Sequence, residues 1–293
     1  MPLAGMHLRA ARKILDTWAR TGTAPFRVSE RRNRRAFLHG SLGPDMGFFP
    51  GGVRLLSELA HACTPGDLTR ALFAAARTEV EVAYTFGWCT HVLLDAHVHP
   101  VINRWASKLS LRTGRVSRAA PLYTHQQIEM GLDIAIQRCG PFYGTELLPV
   151  VDDVDFIVAA YEVGCGRRIR RVDVLASLRA VSRWTAPLLL LQSVLAVALR
   201  KSPRANRLAP RLARATIQGL RSLIGRVSRP DAAASAFLRP LRPGPDLRRD
   251  VRSAVARFHS EFQSHLASGF KTLPNYNLDD GTIMEALPHP GLA

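Results

Sequence analysis

The stretch Gly87-Trp88-Cys89-Thr90-His91-Val92-Leu93-Leu94-Asp95-Ala96-His97-Val98-His99-Pro100 places metal-binding side chains inside an otherwise apolar run. From residue 83 to residue 98 the only formal charge is Asp95. A helix that is apolar almost all round is the buried centre of a domain, so an aspartate and histidines within it must be paired, hydrogen-bonded or bound to a cation. At 3.6 residues per turn, positions four apart drift by about 80° over two steps, so His91, Asp95 and His99 share one face while His97 points to the other side. Pro100 disfavours helical geometry at the residue before it, which puts His99 in a frayed last turn. Imidazoles and a carboxylate at this spacing are a usual means of holding zinc.

Upstream, Leu3, His7, Ala11, Ile14 and Trp18 recur at helical spacing and predict a helix over residues 3–18. His7 lies on that inward stripe, where a lone histidine is more often a core residue than a ligand. The basic run Arg31-Arg32-Asn33-Arg34-Arg35 leads to Phe37-Leu38-His39-Gly40-Ser41-Leu42-Gly43-Pro44-Asp45, and two glycines and a proline predict a loop there. Asp45 reads either as a turn or N-cap residue or as a short carboxylate within reach of a metal. Gly51-Gly52 precedes a short amphipathic helix over residues 53–61 that ends in His61, and another helix begins near Asp67 and leads into the central one.

Downstream of a polar, Arg- and Ser-rich loop, Pro121 opens a helix over residues 123–139. His125 and Glu129 are four apart on it, in the direction of the stripe Ile128, Leu132, Ala135 and Ile136, so Glu129 faces the core. The pair is either a second set of metal ligands or a buried His–Glu hydrogen bond. A helical hairpin over 142–160, one or two apolar helices over 172–199, a basic amphipathic helix over 208–227, a Pro/Arg-rich loop over 229–246 and a final helix over 247–270 complete the chain. That final helix should pack back through Val251, Val255, Phe258, Phe262 and Leu266. His259 and His265 on it show no partner at ligand spacing and read as structural or surface residues. No strand alternation is visible, and the fold class is all-α: a multi-helix globular domain around a buried metal-binding helix.

The 293 residues, 47% hydrophobic, can bury a full core. Three regions are expected: a metal-binding domain over 1–165, a basic helical region with its Pro/Arg-rich loop over 166–250, and a C-terminal helix and tail over 251–293. Residues 167–252 hold 20 Lys and Arg against four acids, so 16 of the 17 surplus positive charges lie there. Such a region could lie on anionic lipid or nucleic acid, or be a solvated arginine-rich face. Cys63, Cys89, Cys139 and Cys165 form no Cys-x-x-Cys pair and read as reduced core residues. Together with an N-terminal stretch that lacks a secretory signal pattern, this predicts a cytoplasmic protein, peripherally membrane-associated at most. The longest apolar run, 186–199, is interrupted by Pro187 and Gln192 and is shorter than a bilayer requires.

The order His7, Asp45 within Gly40-Ser41-Leu42-Gly43-Pro44-Asp45, His61, His91-x3-Asp95-x3-His99 and His125-x3-Glu129, in a helical context, resembles the zinc-dependent phospholipase C family. The same helical scaffold serves single-strand nucleases similar to P1 nuclease. The likeness spans roughly residues 7–130, and residues 273–281 also look like a family-type tail. The resemblance implies one zinc held by Asp45, His61, His91 and Asp95, and another held by His99, His125 and Glu129. A third would take His7, Asp95 and the amino group and carbonyl of a processed N-terminal tryptophan. This chain begins Met1-Pro2 with no tryptophan ahead of His7, so two zinc ions are expected.

Two divalent cations lower the pKa of a bridging water and neutralise charge on phosphoryl oxygens, and Asp45 could steer or accept the water's proton. The sequence holds no Gly-x-Ser-x-Gly elbow and no phosphate-cradling Gly-x4-Gly-Lys loop to rival that chemistry. The function expected is phosphodiester hydrolysis, acting on phospholipid head groups. The alternatives are a zinc-dependent single-strand nuclease and a non-catalytic metal-binding protein. Base stacking needs exposed aromatic rings near the metals, and aromatic residues are only 7% of the chain, so nucleic acid is the less favoured substrate. The sequence leaves the oligomeric state open.

Overall fold

A computed structural model describes residues 4–62, 64–112, 120–137, 154–200 and 240–284. Among these residues the regular structure is helical: α1 (Ala4–Thr21), α2 (Arg31–Gly40), a 3-10 turn (Met46–Phe48), α3 (Arg54–Ala62), α4 (Pro65–Ala75), α5 (Glu79–Arg112), α6 (Ala120–Gln137), α7 (Asp155–Cys165), α8 (Arg171–Arg200) and α9 (Pro245–Ala267). One isolated antiparallel bridge, Tyr276 with Ile283, folds the tail on itself. The predicted all-α class is what is seen.

The apolar run quoted above lies in the middle of α5, and its character explains the architecture. Because α5 has no polar face through residues 83–98, it must be covered on every side, and α1, α2, α4, α6 and α9 all pack against it. Trp88, Cys89, Val92, Leu93, Leu94 and Val98 are buried there. The approach of α2 is close enough that a Cβ on Gly87 would overlap the Phe37 carbonyl, and one on Gly40 would overlap that of Tyr84. An aromatic cluster of Trp18, Phe26, Phe37, Phe86 and Phe262 joins α1, α2, α5 and α9. On α9 the buried stripe is Leu247, Val251, Ala254, Phe258 and Phe262, with Val255 and Leu266 partly buried.

Two local expectations are corrected. Residues 37–40 belong to α2 instead of a loop, because Phe37 and Leu38 bury against the core and Gly40 serves as a contact to α5, so packing overrides its breaking tendency. The irregular segment starts only at Ser41. In α5, Pro100 neither ends the helix nor frays His99: the helix runs on to Arg112. Proline removes one backbone donor, and its ring position is tolerated where surrounding structure compensates.

No helix among the described residues is long and apolar enough to cross a membrane. Cys89 is buried, Cys165 is half-buried, and neither is in a disulfide. Cys63 and Cys139, the basic helix expected over 208–227, most of the 142–160 hairpin and most of the Pro/Arg-rich loop lie outside the described residues. Of the basic region, Arg168 pairs with Glu162, Arg170 with Asp173 and Arg171 with Asp155, and all three arginines are exposed.

Candidate metal centre

The eight residues singled out in the sequence come from four helices and one loop, and the fold brings them all together. His7 (α1), Asp45 (the 41–45 turn), His61 (α3), His91, Asp95 and His99 (α5), and His125 and Glu129 (α6) form one chain of nitrogen–oxygen contacts. Asp95 is its middle. Its Oδ1 lies 3.1 Å from His7 Nε2 and 3.6 Å from His99 Nε2, while its Oδ2 lies 3.0 Å from His91 Nε2 and 3.7 Å from His61 Nε2. Asp45 Oδ1 lies 3.3 Å from His61 Nε2 and 3.9 Å from His91 Nε2. Glu129 Oε1 lies 3.2 Å from His99 Nε2 and 2.8 Å from His125 Nε2. The donors fall into three groups: His7 with His91 and Asp95; Asp45 with His61 and His91; and His99 with His125 and Glu129.

Each element is placed for a local reason. The close α2–α5 contact carries Ser41 to α5, where its carbonyl accepts a hydrogen bond from His91 Nδ1 at 2.9 Å. The Ser57 hydroxyl accepts from the Gly47 N–H at 2.7 Å, tying the turn after Asp45 to α3. α1 is docked by Asp133 of α6, whose carboxylate accepts from the first-turn N–H groups of Gly5 and Met6 at 3.1 and 3.0 Å and from Gln192 of α8 at 2.8 Å. His7 follows one residue later and stacks on His91, rings 3.9 Å apart and nearly parallel.

The outer nitrogens decide the chemistry of the inner ones. His61 Nδ1 donates to the Ser57 carbonyl at 2.8 Å, His91 to Ser41, His99 to the Leu278 carbonyl at 2.6 Å, and His125 to Asn103 Oδ1 at 2.6 Å. A carbonyl only accepts, so each of these rings carries its proton on Nδ1 and, when neutral, turns an Nε2 lone pair toward a carboxylate. Two acceptors facing each other in a buried site repel unless a cation lies between them. His7 Nδ1, His91 Nε2 and Asp95 Oδ1 are buried with no hydrogen-bond partner, the short N···O separations of Asp95 notwithstanding, because the rings are not directed along them. The donor set, borderline nitrogens with hard oxygens, fits a zinc-type divalent cation.

The electrostatics agree. Burial raises the carboxyls of Asp45, Asp95 and Glu129, but the histidines around them more than reverse it, His91 chiefly for Asp45, His99 for Asp95 and His125 for Glu129, and hold all three below their ordinary values. Conversely, burial lowers His99 but Asp95 and Glu129 lift it to about 10, and His91 is likewise raised by Asp95 and Asp45. His7 goes the other way, lowered by burial and by His91.

His97 lies on the far side of α5, as its spacing predicts, with Nε2 2.6 Å from Glu261 Oε2 of α9. His265, which the sequence reading leaves without a partner, lies 3.3 Å from the same carboxylate, and the i,i+4 spacing from Glu261 is the signal for it. Asp133, four residues beyond Glu129 on the same buried stripe, and Asn103, four beyond His99, were also legible by spacing and were not singled out.

These features define a helical protein with a buried histidine–carboxylate centre whose clusters could hold a metal ion. The zinc-dependent phospholipase C family model matches residues 6–173, more than half of the chain and a span that includes the eight residues above, and the chain belongs to that family. No curated protein and no solved structure shows significant similarity to it.

Proposed function

We propose that the chain is a zinc-dependent phosphodiesterase that hydrolyses phospholipid head groups in the manner of a phospholipase C. The observation that carries this reading is the set of imidazoles whose Nδ1 atoms are tied to carbonyls and whose Nε2 atoms converge on Asp45, Asp95 and Glu129. Asp45, His61, His91 and Asp95 would hold one ion and His99, His125 and Glu129 a second, with His7 and Asp95 offering part of a third set. Bound zinc would supply a water of lowered pKa and charge neutralisation at the phosphoryl oxygens. Asp45, held ionised and less enclosed than Asp95, would orient that water and accept its proton.

The helices that carry the ligands also expose aliphatic side chains, Leu55 on α3 at 54% and Leu122 on α6 at 63%, which suit the edge of a lipid surface. A nuclease reading has one observation in its favour: the half-buried ring of Phe48 lies 5.3 Å from the His61 ring, where a base could stack. The deciding experiment compares turnover of phosphatidylcholine vesicles, a soluble phosphodiester and single-stranded DNA by the zinc-loaded chain, with Asp95→Asn alongside. Vesicle hydrolysis should dominate, and Asp95→Asn should lose zinc and activity together, by more than the roughly 100-fold that loss of an outer-sphere partner costs. Preferential cleavage of DNA would move the assignment to the nuclease. Less than one zinc per chain after gentle purification would end it.

A further inference from the structure

The tail beyond α9 reaches the metal centre through its backbone. The Leu278 carbonyl accepts from His99 Nδ1, and the Leu278 N–H donates to the His61 carbonyl at 3.2 Å. The Asp279 carbonyl accepts from Asn103 Nδ2 at 2.5 Å, which turns the Asn103 oxygen toward His125 Nδ1. Both imidazoles of the His99/His125/Glu129 group therefore owe their orientation to a segment near the other end of the chain, 179 residues from His99.

The tail has a built seat. Pro100 has no N–H to offer the Ala96 carbonyl one turn earlier, and the tail covers this place with Gly281. A Cβ on Gly281 would overlap both the Ala96 oxygen and the Pro100 ring, and its φ of +74° favours glycine. The turn is closed by Gly281 N–H to the Asn277 carbonyl and Asn277 N–H to the Thr282 carbonyl, each 2.7 Å. It is anchored by reciprocal Asn275–Asp67 bonds at 2.9 Å and by Tyr276 donating to Glu261 at 2.6 Å. Nothing in this segment supplies a metal-ligating side chain to the centre, and it lies beyond the family-matched residues.

We propose that residues 273–284 are a strap, keyed by Gly281 onto the Pro100 turn, that positions His99 and, through Asn103, His125, and so determines whether that half of the centre holds its ion. This rests on the zinc reading above. Asn103 and Gly281 are positioning residues, since neither touches the substrate or the metal.

The test measures zinc equivalents and competitive chelator titrations on the full chain and on Gly281→Val, Asn103→Leu and Asn103→Asp, with metal-free melting temperatures alongside. Gly281→Val and Asn103→Leu should weaken one zinc by about 10- to 100-fold and leave the ion that depends on His61 unchanged. Asn103→Asp, which keeps an acceptor for His125, should recover most of that affinity. Asn103 is only half-buried, so its variants remain informative if Gly281→Val fails to fold. Unchanged zinc affinity in both Gly281→Val and Asn103→Leu would overturn the proposal. So would equal weakening of every ion in step with a lower metal-free melting temperature, which a role in folding alone would give. An unmodified chain that holds no zinc would refute the zinc reading itself, and that outcome is seen before any strap variant is made.

Discussion

The two halves of the centre are built from similar side chains but are held in different ways. In the Asp45/His61/His91 half, orientation comes from nearby structure: His61 donates to a carbonyl in its own helix, and His91 to Ser41 across the tight α2–α5 contact. In the His99/His125/Glu129 half, orientation comes from the strap and from Asn103. Asp95 lies between them and touches both. Similar ligand chemistry can thus rest on contacts within the helical core, or on a segment from the far end of the chain packed against it.

The largest expected effect tests whether the halves are separable. His125→Ala should remove one zinc, weakening it more than about 100-fold, the upper cost of losing an outer partner, and leave the other near its original affinity. His61→Ala should do the converse. If either substitution empties both positions, the centre is one cooperative cluster and the contrast fails.

A smaller effect is expected at Asp133, which places His7 by capping α1. Asp133→Ala leaves two buried N–H groups and the Gln192 amide without their acceptor, at about 3 kcal/mol, whereas Asp133→Asn keeps an acceptor and costs less. Burial raises the Asp133 carboxyl to about 8. A folded-state pKa above the unfolded value means that the native chain binds more protons between pH 4 and 8, so this group's contribution is full below pH 4 and is lost as pH rises through 8. Thermal melting of the metal-free chain across that window should show a decline that Asp133→Asn flattens.

The smallest effect lies on the rear of α5. Glu261→Gln loosens His97, His265 and Tyr276, all partly exposed, and should change stability by no more than about 1 kcal/mol with zinc content intact in the Asp45 half. A small weakening confined to the His99 half would sharpen the contrast, because Tyr276 anchors the strap. A comparable loss from both halves would break it.

How much was legible can be read from particular residues. The periodicity of α5 placed His91, Asp95 and His99 on one face and His97 on the other, and the spacing of His125 and Glu129 aimed both inward, since side-chain direction on a helix follows from its turn. Pro100 and Gly40 misled because their local tendencies toward ending a helix were outweighed by burial of the residues around them, a sum over contacts that no short window contains. The partner of His265 needs no tertiary information, since Glu261 stands four residues before it on the same helix.

The sequence by itself determined the all-helical class and the central position of α5, because an apolar helix with a lone carboxylate has few physical solutions; the full set of eight side chains was implied by the resemblance to the family. Tertiary structure decided which atom of each imidazole faces inward. That choice depends on acceptors supplied by Ser41, Ser57, Asn103 and Leu278, and for His99 the acceptor is a backbone carbonyl from the opposite end of the chain. A backbone carbonyl has the same chemistry at every residue, so its role could appear only once the chain had folded.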